Sequence, residues 1–397
     1  MVNTRIADLE EFAFARLTAL LADLEPPTGG VDLSVGDPKG APPDWLAGIL
    51  TEHAQGWRSY PPPAGTPALR HAITAWIERR FQVDLDPERH VLPVAGTKEG
   101  LHLLASVVVD ATKAAARPVV LMPNPLYQVY LGGAVMAGAE PVALPATKEN
   151  GFLPDLDAIP DAVLARTQLC YLCSPANPQG TVASLAYWAK ALELARRHDF
   201  VLVADECYSE IYHDAPPPSA LEAATASGSL DRLVVFNSLS KRSNAAGLRV
   251  GFMAGDPALI APTLKVRRYG AATIPLPIQA AATALWQDET HVQAIRADYT
   301  AKIDRALALL DGRAGAFRPP AGFFLWLDVG DGEAAARRLF AATGSKVVPG
   351  RYLAMADARG HTPGDRYVRI ALVHDQATTE AALVRALPYL AGPAATD

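Results

Sequence analysis

Leu233-Val234-Val235-Phe236-Asn237-Ser238-Leu239-Ser240-Lys241-Arg242-Ser243-Asn244-Ala245-Ala246-Gly247-Leu248-Arg249 decides how this chain is read. Its first four residues are an apolar run with the length of a buried strand, and polar groups follow at once. Lys241 sits among them with two serines before it and an arginine after it. A lysine amine forms a Schiff base with a carbonyl, and a nearby cation or a dry pocket lowers its pKa enough to make it nucleophilic. Ser238, Ser240 and Arg249 together suit a phosphate, the arginine as a planar fork and the serines as single hydroxyl donors. Taken alone, the same residues also describe a solvated basic loop.

Working outward, runs of the same kind recur at Val91-Leu92-Pro93-Val94, Val119-Val120-Leu121-Met122, Leu169-Cys170-Tyr171-Leu172, Val201-Leu202-Val203-Ala204 and Gly251-Phe252-Met253-Ala254. From about residue 68 to 285 they alternate with longer helical patterns, which predicts an α/β domain around a largely parallel sheet. An amphipathic helix is expected from His291 to Leu310, carrying Val292, Ile295, Tyr299, Ile303 and Leu307 and stopped by Gly312. Beyond it, Gly322 to Leu327 and Tyr367 to Val373 read as alternating strands, with a helix from Glu333 to Thr343 between them. At the other end, Ile6, Leu9, Phe12, Phe14, Leu17, Leu20, Leu21 and Leu24 predict one leading helix over residues 5–24, ended by Pro26-Pro27-Thr28-Gly29-Gly30. The division expected is a leading helix and linker over 1–44 belonging to a small domain, a large ligand-binding domain over 45–288, and the rest of the small domain over 289–397.

Composition narrows the function classes. With 397 residues, half of them hydrophobic and a net charge of −6, the chain can bury a large core and shows no basic stripe for nucleic acid. No apolar run reaches the roughly 18 residues of a membrane span. Acidic residues at Asp8, Glu10 and Glu11 stand where a signal peptide needs an apolar stretch, so a cytoplasmic location is expected. The pair Cys170 and Cys173 lies in a strand pattern, where positions three apart face opposite sides, and the nine histidines show no metal-ligand spacing; no metal is expected.

The polar residues cluster where an open α/β sheet binds its ligands, after the carboxyl ends of the strands. Val94 is followed by Ala95-Gly96-Thr97-Lys98-Glu99-Gly100, a small-residue turn opening a helix whose free N–H groups favour a phosphate. Met122 is followed by Pro123-Asn124-Pro125-Leu126-Tyr127, Cys173 by Ser174-Pro175-Ala176-Asn177-Pro178, and Ala204 by Asp205-Glu206-Cys207-Tyr208. Pyridoxal 5′-phosphate uses all of these at once. Asp205 keeps the pyridine nitrogen protonated, Asn177 and Tyr208 donate to the phenolic oxygen, and Tyr127 stacks on the ring. Gly96, Thr97, Lys98, Ser238, Ser240 and Arg249 surround the phosphate. Each residue also has a plain reading: Asp205 as a helix cap, the tyrosines as packing, Asn177 as a turn residue, Arg369 as a surface group.

In this order, from Ser34-Val35-Gly36-Asp37-Pro38 to Arg369, the residues resemble the class I/II aminotransferases of pyridoxal-phosphate fold type I. The resemblance covers nearly the whole chain. It implies a mostly parallel seven-stranded sheet flanked by helices plus a smaller α+β domain, with Lys241, Asp205 and Tyr208 as the catalytic set. It implies that Arg369 binds the substrate α-carboxylate, with Gly36 and Asn177 beside it. Tyr60, before Pro61-Pro62-Pro63, matches a tyrosine that in this family reaches the phosphate of the neighbouring subunit, so a homodimer is implied.

Within the family, Ser34 to Lys39, Glu206 to Tyr212, Ser238 to Asn244 and Val348-Pro349-Gly350-Arg351-Tyr352-Leu353 resemble the proteobacterial succinyldiaminopimelate aminotransferases of lysine biosynthesis. Such a donor carries extra carboxylates, for which Arg267, Arg268, Arg242, Lys98 and Arg351 are the candidate cations. The missing proline in Asn244-Ala245-Ala246-Gly247 and the missing arginine in Leu353-Ala354-Met355 are departures from that pattern, and they leave an aspartate, aromatic or neutral donor as an alternative. A carbon–sulfur β-lyase shares the fold and the lysine. A non-catalytic regulator needs an added DNA-binding segment, for which the residues before Ser34 are too few.

Overall fold

The computed structural model describes residues 2–112 and 116–390. Its main sheet contains β1 (Val91–Val94), β2 (Val119–Asn124), β3 (Glu140–Pro145), β4 (Thr167–Cys173), β5 (Val201–Asp205), β6 (Leu233–Ser238) and β7 (Gly251–Gly255). The strand order is β1-β7-β6-β5-β4-β2-β3. Only β7 runs against the others, pairing antiparallel with both β1 and β6. The predicted strands are all present, and the sheet is mostly parallel with seven strands.

These runs form strands because both faces are covered. Alternation along β4 and β5 sends Cys170, Leu172, Leu202 and Ala204 to one side, where they pack with Trp188, Phe252 and Trp286. Leu169, Tyr171, Val201 and Val203 point the other way, toward Leu101, Leu104 and Tyr130. β3 escaped the sequence reading. It begins with Glu140-Pro141 and ends at Pro145, and its half-buried edge position tolerates the prolines that argue against a central strand.

A smaller antiparallel sheet holds β8 (Phe324–Asp328), β9 (Val348–Pro349) and β10 (Tyr367–Ala371) in the order β8-β10-β9. Leu325, Leu327, Val368 and Ile370 pack there against Ile303, Ala306 and Leu310 of the long helix Thr290–Leu310 and Leu383 of the helix Gln376–Leu390. The long helix ends where expected: Asp311 and Gly312 both turn left-handed.

The N-terminus differs from the reading. In place of one helix over 5–24 there is a 3₁₀ turn Thr4–Asp8 and a separate helix Ala13–Leu21, with Phe12 extended between them. The backbone N–H of Ala13 is taken by the side chain of Gln128, at 3.0 Å, and only Ala13, Leu17 and Leu21 are buried. Ile6, Leu9 and Phe12 completed the apolar period but remain exposed. Periodicity marks which residues share a face; it does not supply a surface to cover that face.

Candidate active site

Because β1, β2, β4, β5 and β6 run in one direction, their carboxyl ends share one edge of the sheet. There a cavity of about 380 Å³ is lined by Gly36, Thr97, Lys98, Tyr127, Asn177, Asp205, Tyr208, Ser238, Ser240, Lys241, Arg249 and Arg369, all expected from the sequence. Gly96 and Tyr60 stand outside that lining. Gly96 opens the helix Thr97–Val108 at a left-handed φ of 84°, with no side-chain cap. A Cβ on it would fall 2.3 Å from Nη2 of Arg249, so the glycine is what admits the guanidinium to the helix start. Tyr60 is fully exposed.

Ser238 closes β6 and its hydroxyl accepts from the N–H of Ser240 at 3.1 Å, which turns the chain into the short helix Leu239–Arg242 carrying Lys241. The Ser238 hydroxyl in turn lies 3.0 Å from that of Ser240. Together with Thr97, the uncapped helix start and Arg249, these hydroxyls form a cradle of donors on the cavity wall. That composition fits a phosphate.

Lys241 donates to the carbonyl of Gly36, and its ammonium lies 5.5 Å from the ring centre of Phe323 and 6.0 Å from that of Tyr208. Burial pushes its pKa down to about 8 from the usual 10.5; Asp37 and Cys207 oppose that, while Arg369 and Arg249 reinforce it. Gly36 has no room for a side chain, since a Cβ would meet Phe324 at 2.5 Å.

Asp205 ends β5, buried, opposite Cys173 of β4 and Phe236 of β6. Burial raises its pKa, and hydrogen bonds from Tyr130 and Cys207 oppose that rise. No ion pair to Asp205 occurs among the described residues, so its charge has a place for a cationic ligand group. Asn177 Nδ2 reaches toward the hydroxyl of Tyr208 at 3.5 Å, and its Oδ1 accepts from Nη1 of Arg369 at 3.1 Å. Arg369 also donates through Nη2 to the carbonyl of Ser34 at 2.6 Å and lies 4.5 Å over the ring of Phe324. It is buried, its pKa is lowered to about 10 by desolvation, and its Nε–H has no partner among the described residues. An unused donor on a buried guanidinium suits a carboxylate. Tyr127, at the start of the helix Gln128–Ala137, presents its ring to the cavity, and burial raises its pKa to about 12.

The candidate distal cations separate. Arg242 is buried between Trp76 and Trp286 and bonds to Glu289 and the carbonyl of Leu285. Arg267 is buried on Glu99 and the carbonyls of Pro63, Pro93 and Ala272. Arg351 pairs with Glu333 and Asp365, and Arg268 is exposed away from the cavity. Of these five, Lys98 alone lines the cavity, near the ring of Phe12. Cys170 lies in the core and Cys173 on the cavity wall, on opposite sides as expected, and no metal cluster occurs among the described residues.

Two features were absent from the sequence reading. The outer wall is apolar, built from Phe12, Phe14, Phe152, Leu153 and Leu353. Tyr130, whose hydroxyl donates to Asp205 Oδ2 at 2.6 Å, was also missed. Its spacing of three from Tyr127 on one helix was a usable signal, but its partner is 75 residues away.

A half-buried lysine, an anion cradle and a carboxylate at the end of a mostly parallel sheet define a cofactor-dependent α/β enzyme. The family model for aminotransferase class I and II matches residues 28–385, and the chain belongs to that family, whose cofactor is pyridoxal 5′-phosphate. The chain is 34% identical over 379 residues to LL-diaminopimelate aminotransferase of Desulforudis audaxviator, covering 93% of this chain and 92% of the relative. Its structure is similar to that of an aminotransferase from Neisseria meningitidis, with a TM-score of 0.93, 38% identity and coverage of 98% and 100% of the two chains. It is also similar to a probable N-succinyldiaminopimelate aminotransferase from Thermus thermophilus, with a TM-score of 0.83, 26% identity and coverage of 95% and 100%.

Proposed function

We propose that this aminotransferase moves the amino group of N-succinyl-L,L-diaminopimelate to 2-oxoglutarate, with both half-reactions at Lys241. The observation that carries the assignment of the reaction is Lys241 itself, half-buried with a lowered pKa on the wall of a cavity that also holds the anion cradle and Arg369. Pyridoxal phosphate, when bound, supplies an aldehyde that condenses with amines and a ring that takes up the electron pair left at a substrate α-carbon.

The residues then divide the work. Ser238, Ser240, Thr97, Arg249 and the helix start at Gly96 hold the phosphate. Asp205 holds the proton on the ring nitrogen, and Asn177 and Tyr208 donate to the phenolic oxygen. Tyr127 covers one ring face. Arg369 takes the substrate α-carboxylate as a fork, kept in place by Asn177 and Ser34. Lys241 would hold the cofactor through its aldehyde, and its amine, when free, would carry a proton between the substrate α-carbon and the neighbouring carbon. A pKa of about 8 leaves a working fraction neutral near neutral pH.

The donor rests on different support: the sequence strings around Ser34, Glu206 and Val348, and Lys98 at the cavity rim for a distal carboxylate. The unsuccinylated L,L-diaminopimelate is the second reading, favoured by the similarity to the LL-diaminopimelate aminotransferase of Desulforudis audaxviator. The homodimer is part of the proposal, with the exposed Tyr60 reaching the phosphate held by the partner subunit.

The test is a single-turnover absorbance trace of the cofactor-loaded enzyme with N-succinyl-L,L-diaminopimelate, L,L-diaminopimelate, glutamate and aspartate in parallel. Rapid conversion by the succinylated compound and by glutamate supports the full proposal. Conversion by glutamate with L,L-diaminopimelate in place of the succinylated compound transfers it to the second reading. Oxo-acid release that continues without any second oxo acid marks a lyase and overturns transamination.

A further inference from the structure

Asp205 carries its charge in a buried setting with two hydrogen bonds and no ion pair among the described residues. One donor is the backbone N–H of Cys207 on Oδ1 at 3.2 Å; the other is the hydroxyl of Tyr130 on Oδ2 at 2.6 Å. The second bond is the shorter, as an O–H donor to a carboxylate is expected to be. Burial and the neighbouring Asp205 raise the Tyr130 pKa well above its usual value, so the phenol stays protonated and acts as donor.

Tyr130 is itself fixed. Its ring stacks on that of Tyr171 at 4.6 Å and 10°, and meets Tyr127 edge-on at 5.7 Å. The hydroxyl of Tyr171 donates to the carbonyl of Leu101 at 2.7 Å, inside the helix whose start forms the anion cradle. One chain of contacts thus joins the cradle helix, the two stacked tyrosines and the Asp205 carboxylate.

We infer that Tyr130 is a positioning residue for Asp205: its hydroxyl holds the carboxylate ionised and aimed at the cofactor ring nitrogen. The inference rests on the cofactor placement proposed above. Without this donor, burial drives Asp205 toward its neutral form, and its hold on the ring proton weakens.

The test compares Tyr130→Phe with Tyr171→Phe, each keeping the stacked pair and each removing one buried hydroxyl. For the apoprotein, equilibrium titration with pyridoxal phosphate is expected to show about a tenfold weaker affinity for Tyr130→Phe, the scale of one lost hydrogen bond to a charged group. In the loaded enzyme the pH midpoint of the visible absorbance change moves upward, because a ring that has lost its proton no longer disfavours a second positive charge beside it. kcat falls while the donor KM moves little. Tyr171→Phe leaves the midpoint in place. Equal effects of the two substitutions, or an unmoved midpoint in Tyr130→Phe, overturn the inference in favour of plain packing. Failure of the unsubstituted protein to bind pyridoxal phosphate sinks the placement and this inference with it.

Discussion

The inner and outer ends of the cavity are built from different materials. The inner end is polar and rigid: Asp205, Asn177, Ser238, Ser240 and Lys241 sit on strand ends or the first turn after them. The outer end is apolar and assembled from distant pieces, with Phe12 and Phe14 from the N-terminal segment, Phe152 and Leu153 from the loop after β3, and Leu353 from the small-sheet side. Chemistry that tolerates little displacement belongs on the rigid part, while recognition of a variable side chain can rest on segments that are easily exchanged. On the proposed function, the inner end would set the reaction and the outer end how much a given donor gains from binding.

The sharpest way to break that division is at Lys241. Lys241→Ala is expected to lower turnover with every donor by about ten-thousandfold or more while pyridoxal phosphate still binds; steady-state rates and a cofactor titration check both halves. Substantial activity in this variant would place the chemistry elsewhere. Next in size is Arg369→Lys, which keeps the charge but loses the fork. A fall of about a hundredfold in kcat/KM is expected for all amino donors alike, measured across the donor panel. A loss confined to one donor would move Arg369 to the outer, selective end.

A third measurement concerns stability without cofactor. Lys241 has a pKa of about 8 in the folded chain against 10.5 ordinarily, so folding disfavours its proton. The unfolded chain binds more protons between those values, and stability from this group rises with pH across that window. Lys241→Met should therefore raise the apoprotein melting temperature most below pH 8, with the gain fading as pH approaches 10.5. A gain that persists at pH 10.5 would reflect packing and not charge burial. The smallest effect is expected at the outer wall: Phe12→Ala should raise KM for N-succinyl-L,L-diaminopimelate about fivefold, with a smaller change for glutamate, because only the longer donor reaches that ring. Equal changes for both would erase the distinction between the two ends.

The inner site was legible because each of its residues follows an apolar run that can only be a buried strand. Asp205 after Val201-Leu202-Val203-Ala204 and Ser238 after Leu233-Val234-Val235-Phe236-Asn237 needed no knowledge of the pairing partner. The outer wall was not legible. Phe12 looks like a helix residue by period, but it is extended just before the helix that holds Phe14, where the side chain of Gln128, far along the sequence, takes the N–H of Ala13. Arg242 and Arg267 looked like ligand cations for the same reason in reverse. Their partners, Glu289 with two tryptophans and Glu99 with three carbonyls, come from remote segments.

Local order along the chain thus determined the α/β class, the strands of the main sheet apart from its proline-bearing edge, the family and the polar residues that line the inner cavity, since alternation and chain order are properties of neighbours in sequence. Tertiary structure alone decided which charges were already neutralised, what walls the donor meets and which side chain supports Asp205. A hydrogen bond such as that of Tyr130 to Asp205, or a cation sealed between Trp76 and Trp286, depends on distances between segments that no local pattern encodes.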